Sequence, residues 1–449
     1  MTIMKHFIYL AFLLPFISCK KFLQVQPQQQ VDASVAITDA VSAEAAVNGL
    51  YNRLGSDGYY GSNFIALSYL MGGDIQWTGS QSAPAQIAAR ALTADNSNIS
   101  SAWTAIYRTI LSANYIIDIV PRLSDPLLTE AKKNQFQGEA YFIRALAYFD
   151  LARAWGGVQL ITSPTYSKTD QEGIRRGSVT ETYAQVLSDL DKAETLLPTT
   201  INRNKATQKT VWALKARFYL YQQDWVKAES FASKIIDDAS NYKLLKPYSA
   251  FFANNVTATA ESVFELGYST SFKNGHYNWW LPPALGGRRE WAPNSNLVTL
   301  LNDATIGGNR NTLIAQTAPP GNLWYGKLYY RNPTGTDPAY LIRVAELYLI
   351  RSEARVKQSK LPLAVQDLNA VRDRAGLLPT TAATTDDILL AIENERRLEF
   401  AFEADRWFNL VRTGSVKTVL NITDPNKFVF PIPISEIIAD KYLDPNLGY

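Results

Sequence analysis

Residues 141–148 read Tyr-Phe-Ile-Arg-Ala-Leu-Ala-Tyr, and their spacing of a large, a small and an aromatic residue occurs twice more in the chain. The three copies are Tyr141-x3-Ala145-x2-Tyr148, Trp212-x3-Ala216-x2-Tyr219 and Leu341-x3-Ala345-x2-Tyr348. Positions i, i+4 and i+7 lie on one face of an α-helix, so each copy has an alanine at the centre of an apolar face. A second helix can approach closely at such an alanine. The recurrence therefore predicts a fold built from packed helix pairs.

This spacing is typical of the first helix of a tetratricopeptide repeat. The second copy continues in register, because Asp224-Trp225 supplies a turn and Ala228 follows nine residues after Tyr219. In the third copy the equivalent alanine, Ala364, comes later, so the repeats are degenerate. Generic helix packing is the alternative interpretation, and the shared three-point spacing favours the repeat.

Apolar periodicity, together with start and stop residues, predicts helices along most of the chain. Ser178-Val179-Thr180-Glu181 has the spacing of a capping box, and the helix that it opens is predicted to end before Pro198. The expected helices cover 43–54, 103 to about 121, 129–155, 178–197, 207–221, 224–239, 340–357, 361–375, 386–412 and 434–440, and the expected strands cover 263–266 and 427–430. We therefore expect a mainly α protein with a tetratricopeptide-like scaffold of helix pairs.

Helical periodicity fades between about residues 240 and 338, where Gly, Pro, Asn and aromatic residues are frequent. A shorter stretch, from about 55 to 97, is predicted to be a loop and contains Gly72-Gly73-Asp74-Ile75-Gln76-Trp77. Long irregular stretches inside a compact protein are usually functional. We expect the first of these to form an irregular, loop-rich subdomain inserted in the helical scaffold.

The residue types present exclude several classes of chemistry. The 449-residue sequence has one cysteine, Cys19, and two histidines, of which only His276 lies beyond the N-terminal segment. Cys/His nucleophilic dyads and zinc sites with several His or Cys ligands are therefore excluded. The sequence contains no Walker loop, no G-x-G-x-x-G after a strand and no basic patch of nucleic-acid type. We predict no metal site, no cofactor and no nucleic-acid partner.

Carboxylate chemistry remains possible, and Glu395, Glu399 and Glu403 share one face of a predicted helix. A glycoside hydrolase needs two carboxylates on either side of the scissile bond. The same spacing also allows ion pairs with arginines of that helix at i+3 and i+4, such as Arg396 and Arg397. We interpret the block as structural and predict no catalytic residues.

The N-terminus has the organisation of a bacterial lipoprotein signal. Lys5 precedes the apolar run Phe7 to Ile17, and Ser18-Cys19 stands where the processing site is expected. The run is too short to span a bilayer as a finished helix. We expect a signal peptide over 1–18, lipidation of Cys19 and a tether over 19–37, followed by one domain over 38–449.

Several segments spread along the chain carry a family resemblance. They are Cys19-Lys20-Lys21-Phe22-Leu23 with Gln26-Pro27, Gly138 to Ala145 through Trp155-Gly156-Gly157-Val158, Ile342 to Leu349, Leu368 to Gly376, Asn394 to Glu403 with Arg406, and Phe430-Pro431-Ile432-Pro433. Together they resemble the SusD/RagB family, the surface lipoproteins of nutrient-uptake systems in Bacteroidota.

The resemblance implies four tetratricopeptide-like units and an irregular subdomain that carries the ligand surface. Members of this family do no chemistry; they bind an oligosaccharide, or in some cases peptides or other nutrients, at the cell surface. They act with a TonB-dependent outer-membrane barrel of SusC type, which the repeat face is expected to contact. The implied function is a glycan-binding lipoprotein, anchored to the outer membrane by its lipid, that delivers ligand to a SusC-like transporter.

The ten tryptophans divide into two groups. Those in patterned helices are expected in the core: Trp103, Trp155, Trp212, Trp225 and Trp407. Those in loop-rich stretches suit the C–H faces of a pyranose ring, or alternatively fill the subdomain: Trp77, Trp279, Trp280, Trp291 and Trp324.

Polar residues near the loop tryptophans complete the predicted ligand site. Asn278, Arg288 and Arg289 follow or flank the Trp279-Trp280 pair, and Tyr325 follows Trp324. Asp74, like Trp77, is a candidate because the resemblance implies ligand contacts from its loop. Two alternatives stay open: a peptide- or protein-binding module that uses the tetratricopeptide groove, and a carboxylate-dependent glycoside hydrolase.

Overall fold

Helix pairs dominate the structure, which is a computed structural model that describes residues 36–167 and 169–449. The predicted signal peptide, Cys19 and most of the tether lie outside the described residues. From residue 40 onward the α-helices are α1 (Ala40–Leu54), α2 (Asn63–Met71), α3 (Ser82–Ala88), α4 (Ser97–Ile119), α5 (Glu130–Trp155), α6 (Val179–Leu196), α7 (Gln208–Tyr221) and α8 (Trp225–Ile236). They continue with α9 (His276–Trp280), α10 (Ser295–Asn302), α11 (Val344–Lys357), α12 (Leu361–Arg374), α13 (Thr385–Glu399), α14 (Arg406–Thr413), α15 (Val416–Val419) and α16 (Ile434–Ala439).

The predicted helix pairs are confirmed. Helix α1 packs on α4, α5 on α6, α7 on α8 and α11 on α12, and α8 also packs on α11 to join successive pairs. The central alanines of the three repeated triplets, Ala145, Ala216 and Ala345, are fully buried. The capping box of α6 is also confirmed, since the Ser178 side chain accepts from the Glu181 N–H and the Glu181 carboxylate accepts from the Ser178 N–H.

Six short strands form three two-stranded antiparallel sheets in the described part of the chain. The strands are β1 (Ile75–Trp77), β2 (Ser262–Leu266), β3 (Trp291–Pro293), β4 (Ile314–Gln316), β5 (Trp324–Gly326) and β6 (Ala339–Arg343). The pairs are β1 with β3, β2 with β6 and β4 with β5. The first pair places Trp77 opposite Trp291, and so connects the early loop to the loop-rich subdomain.

The predicted start of the helix over 340–357 is wrong, because residues 339–343 form strand β6 and α11 begins at Val344. All five residues of β6 are buried against β2, whose five residues are buried as well. Pairing with a distant strand therefore outweighs the local helical pattern. Leu341 of the third triplet lies in this strand, while Ala345 and Tyr348 lie in the helix.

The single helix predicted over 386–412 is also wrong, since α13 ends at Glu399 and α14 begins at Arg406. Helix α2 binds the intervening backbone: Tyr69 Oη donates to the Phe402 carbonyl and Ser68 Oγ to the Ala404 carbonyl at 2.6 Å. Ala404 itself has a left-handed φ of +61°. Tertiary hydrogen bonds thus replace helical ones at this break.

Two shorter predictions are corrected. The strand predicted over 427–430 is absent, because Pro425–Phe428 forms a 3₁₀ turn that the Asp424 side chain caps. The loop predicted over 55–97 contains α2, β1 and α3. Eight of the nine residues of α2 are buried, so this helix has no polar face and lacks the amphipathic pattern that would have identified it.

The glutamates of α13 do form ion pairs, but their main partners are not the arginines of their own helix. Glu399 is fully buried and accepts from Arg310 Nε at 2.9 Å, from Arg343 Nη1 at 2.9 Å and from Arg374. Burial alone would raise the pKa of Glu399, but the three guanidiniums lower it to about 2. Arg397 instead pairs with Asp74. The block is a buried ionic network between elements.

Candidate functional site

Helix α9 divides its five residues between the protein interior and a cleft. His276 and Trp280, four residues apart, are buried, while Tyr277, Asn278 and Trp279 are half-buried. His276 Nε2 lies 3.0 Å from the Tyr60 carbonyl oxygen. Burial lowers the pKa of His276 to about 4, so its ring is neutral at neutral pH. The inward pair therefore anchors the helix and aims the three middle side chains outward.

Behind Trp279 lies a cluster of tryptophans. The Trp279 and Trp291 rings are stacked, with centroids 5.2 Å apart and planes inclined by 20°. Trp77 approaches Trp279 with a centroid distance of 6.3 Å, and Trp280 meets Trp291 edge to face at 5.5 Å. Four of the five predicted loop tryptophans are thus brought together, and the buried ones fix the position of the exposed part of Trp279.

Two predicted arginines border this cluster in different ways. The Arg288 guanidinium lies 4.2 Å from the centroid of the Trp279 ring and pairs with Glu290 at 3.1 Å, and its side chain is 41 % exposed. Arg289 Nε donates to the Trp324 carbonyl at 2.8 Å, so this side chain holds β5 in place. Burial lowers the pKa of Arg289. Arg288 is therefore beside the exposed aromatic ring, whereas Arg289 binds backbone.

Four of the ten predicted ligand-contacting residues lie inside the protein. Trp280, Trp291 and Tyr325 are no more than 8 % exposed, and so have little ring surface to offer a ligand. Asp74 is 5 % exposed, and its carboxylate accepts from Arg397 Nε at 2.9 Å, with Arg406 Nε at 3.6 Å. These residues are buried because the loop-rich subdomain and the early loop paired with it build their core from aromatic rings and ion pairs.

The cleft beside α9, which we call the α9 cleft, has a volume of about 530 Å³. Its walls are Asp57, Ser62, Asn63, Gly275, Tyr277, Asn278 and Trp279. It combines two aromatic rings with a carboxylate, two amides and two hydroxyls. Asp57, Ser62, Asn63 and Tyr277 were not predicted from the sequence. Tyr277 adjoins two predicted residues, but no sequence signal connects residues 57–63 with a helix more than 200 positions later.

The side chains that line the α9 cleft offer aromatic surface and hydrogen-bonding groups. Asp57 is the only carboxylate among its seven lining residues, and glycoside hydrolysis commonly uses two. The other carboxylate candidates, Glu395, Glu399 and Glu403, are buried in ion pairs with side chains at most 8 % exposed. Among residues 36–167 and 169–449 there is no group of three or more His, Cys, Asp or Glu residues placed to hold a metal ion.

No helix in the described ranges has both the length and the apolar character needed to cross a bilayer.

Comparison with known proteins identifies relatives over the whole chain. A family model described as "Starch-binding associating with outer membrane" matches residues 21–220, and a model of the SusD family matches residues 323–427. A SusD-like protein from Formosa agariphila, P2, is 24 % identical, with 98 % of each chain aligned.

Two solved structures have the same fold. A SusD superfamily protein from Bacteroides vulgatus superposes with a TM-score of 0.82 at 20 % identity, covering 91 % of this chain and 99 % of the other. A laminarin-binding SusD-like protein superposes with a TM-score of 0.81 at 22 % identity, covering 92 % and 100 %. With two family models that together match more than half of its length, and with relatives and folds of one kind, this chain belongs to the SusD/RagB family.

Proposed function

We propose that this protein captures a glycan in the α9 cleft and does not cleave it. The observation that carries the proposal is the half-buried Trp279 ring, supported by Trp291, in a cleft that also presents Asp57, Asn63 and Asn278. An aromatic ring suits the C–H face of a pyranose, and carboxylate and amide groups suit its hydroxyls. The laminarin-binding relative and the starch-binding description of the family support a glycan as the ligand class.

We further propose that the protein is anchored to the outer membrane through lipid on Cys19, is displayed at the cell surface and passes its ligand to a SusC-like TonB-dependent transporter. The family description, which refers to association with the outer membrane, supports the location. The lipoprotein-type signal of residues 1–18 supports the anchor.

A groove on the helical scaffold suits contact with a protein partner. It lies between α8, α11, α13 and α15, has a volume of about 400 Å³ and includes Trp225, Leu390 and Val419 among its lining residues. Leu390 is 59 % exposed, an apolar side chain that a partner would cover. This feature supports docking of the transporter on the repeat face, and it is also where the alternative function, a peptide- or protein-binding repeat module, would bind.

The test is affinity electrophoresis of residues 20–449, which include every described helix and strand, through gels containing single polysaccharides. The panel should include laminarin, starch and xylan together with anionic polysaccharides. Trp279→Ala should reduce the affinity for the retarding glycan by about 30-fold, the effect of removing a central aromatic contact worth about 2 kcal/mol.

Trp324→Ala is the matched control, because Trp324 is another half-buried tryptophan of the subdomain and does not line the cleft. Equal losses in the two variants would contradict the assignment of the cleft. Affinity lost on Leu390→Asp but kept in Trp279→Ala would favour the groove. Release of reducing ends from the bound glycan would contradict a purely binding role.

A further inference from the structure

A second concavity adjoins the α9 cleft, and we call it the serine shelf. Its volume is about 580 Å³. Its lining residues come from the end of α1, the following turn and one face of α4: Arg53, Ser56, Asp57, Gly58, Ser97, Ser100, Ser101, Thr104, Ala105 and Arg108. Asp57 lines both concavities, and Asn63 of the cleft donates to Ser101 of the shelf at 2.8 Å. A ligand that fills the cleft can therefore continue onto the shelf.

The shelf is lined by donor groups that the protein leaves unused. Within residues 36–167 and 169–449, the guanidinium groups of Arg53 and Arg108 make no hydrogen bond, ion pair or ring contact. The hydroxyls of Ser97, Ser100 and Thr104 likewise have no hydrogen-bond partner in the described ranges. Each guanidinium carries five N–H donors in a planar fork that matches carboxylate and oxyanion geometry.

The charge balance of the shelf is positive. Arg53 and Arg108 contribute two positive charges, and Asp57, at the border with the cleft, is the only carboxylate among the lining residues. Hydroxyls supply the rest of the polar surface, and they can donate to an anion without adding charge. The arrangement is suited to a small anionic group with several oxygen atoms, since hydrogen bonds between ions are the strong ones.

We infer that the serine shelf is a subsite for a negatively charged substituent of the captured glycan, either the carboxylate of a uronic acid residue or a sulfate ester. The sugar ring would be held in the α9 cleft, and the anionic substituent of a neighbouring residue would be held between Arg53 and Arg108. The inference rests on the proposed function, because it assigns the class of glycan that the same site takes.

The experiment compares residues 20–449 with an Arg53→Gln/Arg108→Gln variant in gels containing laminarin, polygalacturonate or κ-carrageenan, which are neutral, carboxylated and sulfated. Both arginines are exposed, so the variant should keep the circular dichroism spectrum of the unchanged protein. We expect at least a tenfold loss of affinity for one anionic polysaccharide and no change for laminarin. The polysaccharide that responds identifies carboxylate or sulfate as the recognised group.

The matched control is Lys132→Gln/Lys243→Gln, which removes the same charge from exposed positions that line neither concavity. If the two double variants lost the same affinity for an anionic polysaccharide, the loss would be an effect of net charge, and the subsite assignment would be wrong. Binding of laminarin but of neither anionic polysaccharide would overturn the subsite and leave glycan capture standing. If no polysaccharide of the panel retarded the unchanged protein, both the proposed glycan capture and the anionic subsite would be wrong.

Discussion

The substitution Asp74→Asn tests whether Asp74 stabilises the fold or contacts the ligand. The family resemblance implied a ligand contact, whereas the structure buries this carboxylate against Arg397 and Arg406. In the variant, an amide NH₂ replaces one of the two oxygens that accept from Arg397. Two donors then face each other, and the guanidinium loses the carboxylate with which it is paired.

The magnitude follows from the burial of the pair. Removing one partner of a buried ion pair costs about 3–5 kcal/mol. The Asp74 side chain is 7 % exposed but that of Arg397 is 18 % exposed, so water can solvate part of the orphaned guanidinium. We therefore expect the lower end, a loss of about 3 kcal/mol in the free energy of unfolding.

The assay combines urea unfolding with glycan affinity, and the matched control is Asp57→Asn. Asp57 is exposed and lines the α9 cleft, and its carboxylate has no hydrogen-bond partner in the described part of the chain. We expect Asp74→Asn to lower the urea midpoint while its folded fraction keeps its affinity for the neutral glycan. Asp57→Asn should change the unfolding free energy by less than about 0.5 kcal/mol and weaken neutral-glycan binding roughly tenfold.

The opposite pattern would refute the reasoning. An Asp74→Asn protein with an unchanged urea midpoint and lost glycan binding would make Asp74 a ligand residue. The assignment of the α9 cleft would then be wrong, because Asp74 is not one of its lining residues.

Two further outcomes follow from the structure, and a third follows from the N-terminal sequence. Trp280→Ala should cost about 3–5 kcal/mol of stability in urea unfolding, because Trp280 is 1 % exposed, whereas Trp279→Ala should cost much less and act mainly on glycan affinity. The pKa of Glu399 is lowered to about 2 in the folded state, so its carboxylate is protonated more readily in the unfolded protein as the pH falls. As the pH drops from about 4.5 to about 2, the free energy of unfolding should therefore lose a contribution of about 3 kcal/mol from this residue. Glu399→Gln should flatten this part of the acid-unfolding profile. Cys19→Ala should abolish incorporation of labelled palmitate and release the protein from the outer-membrane fraction of the cell, and retention of both label and membrane association would contradict lipidation at Cys19.

Local signals predicted the scaffold well. The capping box at Ser178 and the alanines of the repeated triplets depend only on nearby residues, and the structure confirms both. The wrong predictions occur where contacts with residues distant in the sequence determine the local structure. Strand β6 forms because β2 lies beside it, and the break after Glu399 forms because α2 binds the backbone there. The partners of Glu399 come from three other elements, and its spacing alone could not distinguish them from partners on its own helix.

The candidate site, too, has parts that local sequence signals can predict and parts that depend on distant residues. The environments of the adjacent Trp279 and Trp280 belong to the second kind. Residues 276–280 are too few to show a helical period in the sequence, so nothing local distinguishes the inward Trp280 from the outward Trp279. The opposite wall of the cleft, with Asp57 and Asn63, comes from a turn and a helix start far away in the chain. Sequence reasoning could therefore predict one wall of the cleft and its aromatic character. The polar half of the cleft forms only once the helix pairs bring α1, α2 and α4 beside the loop-rich subdomain.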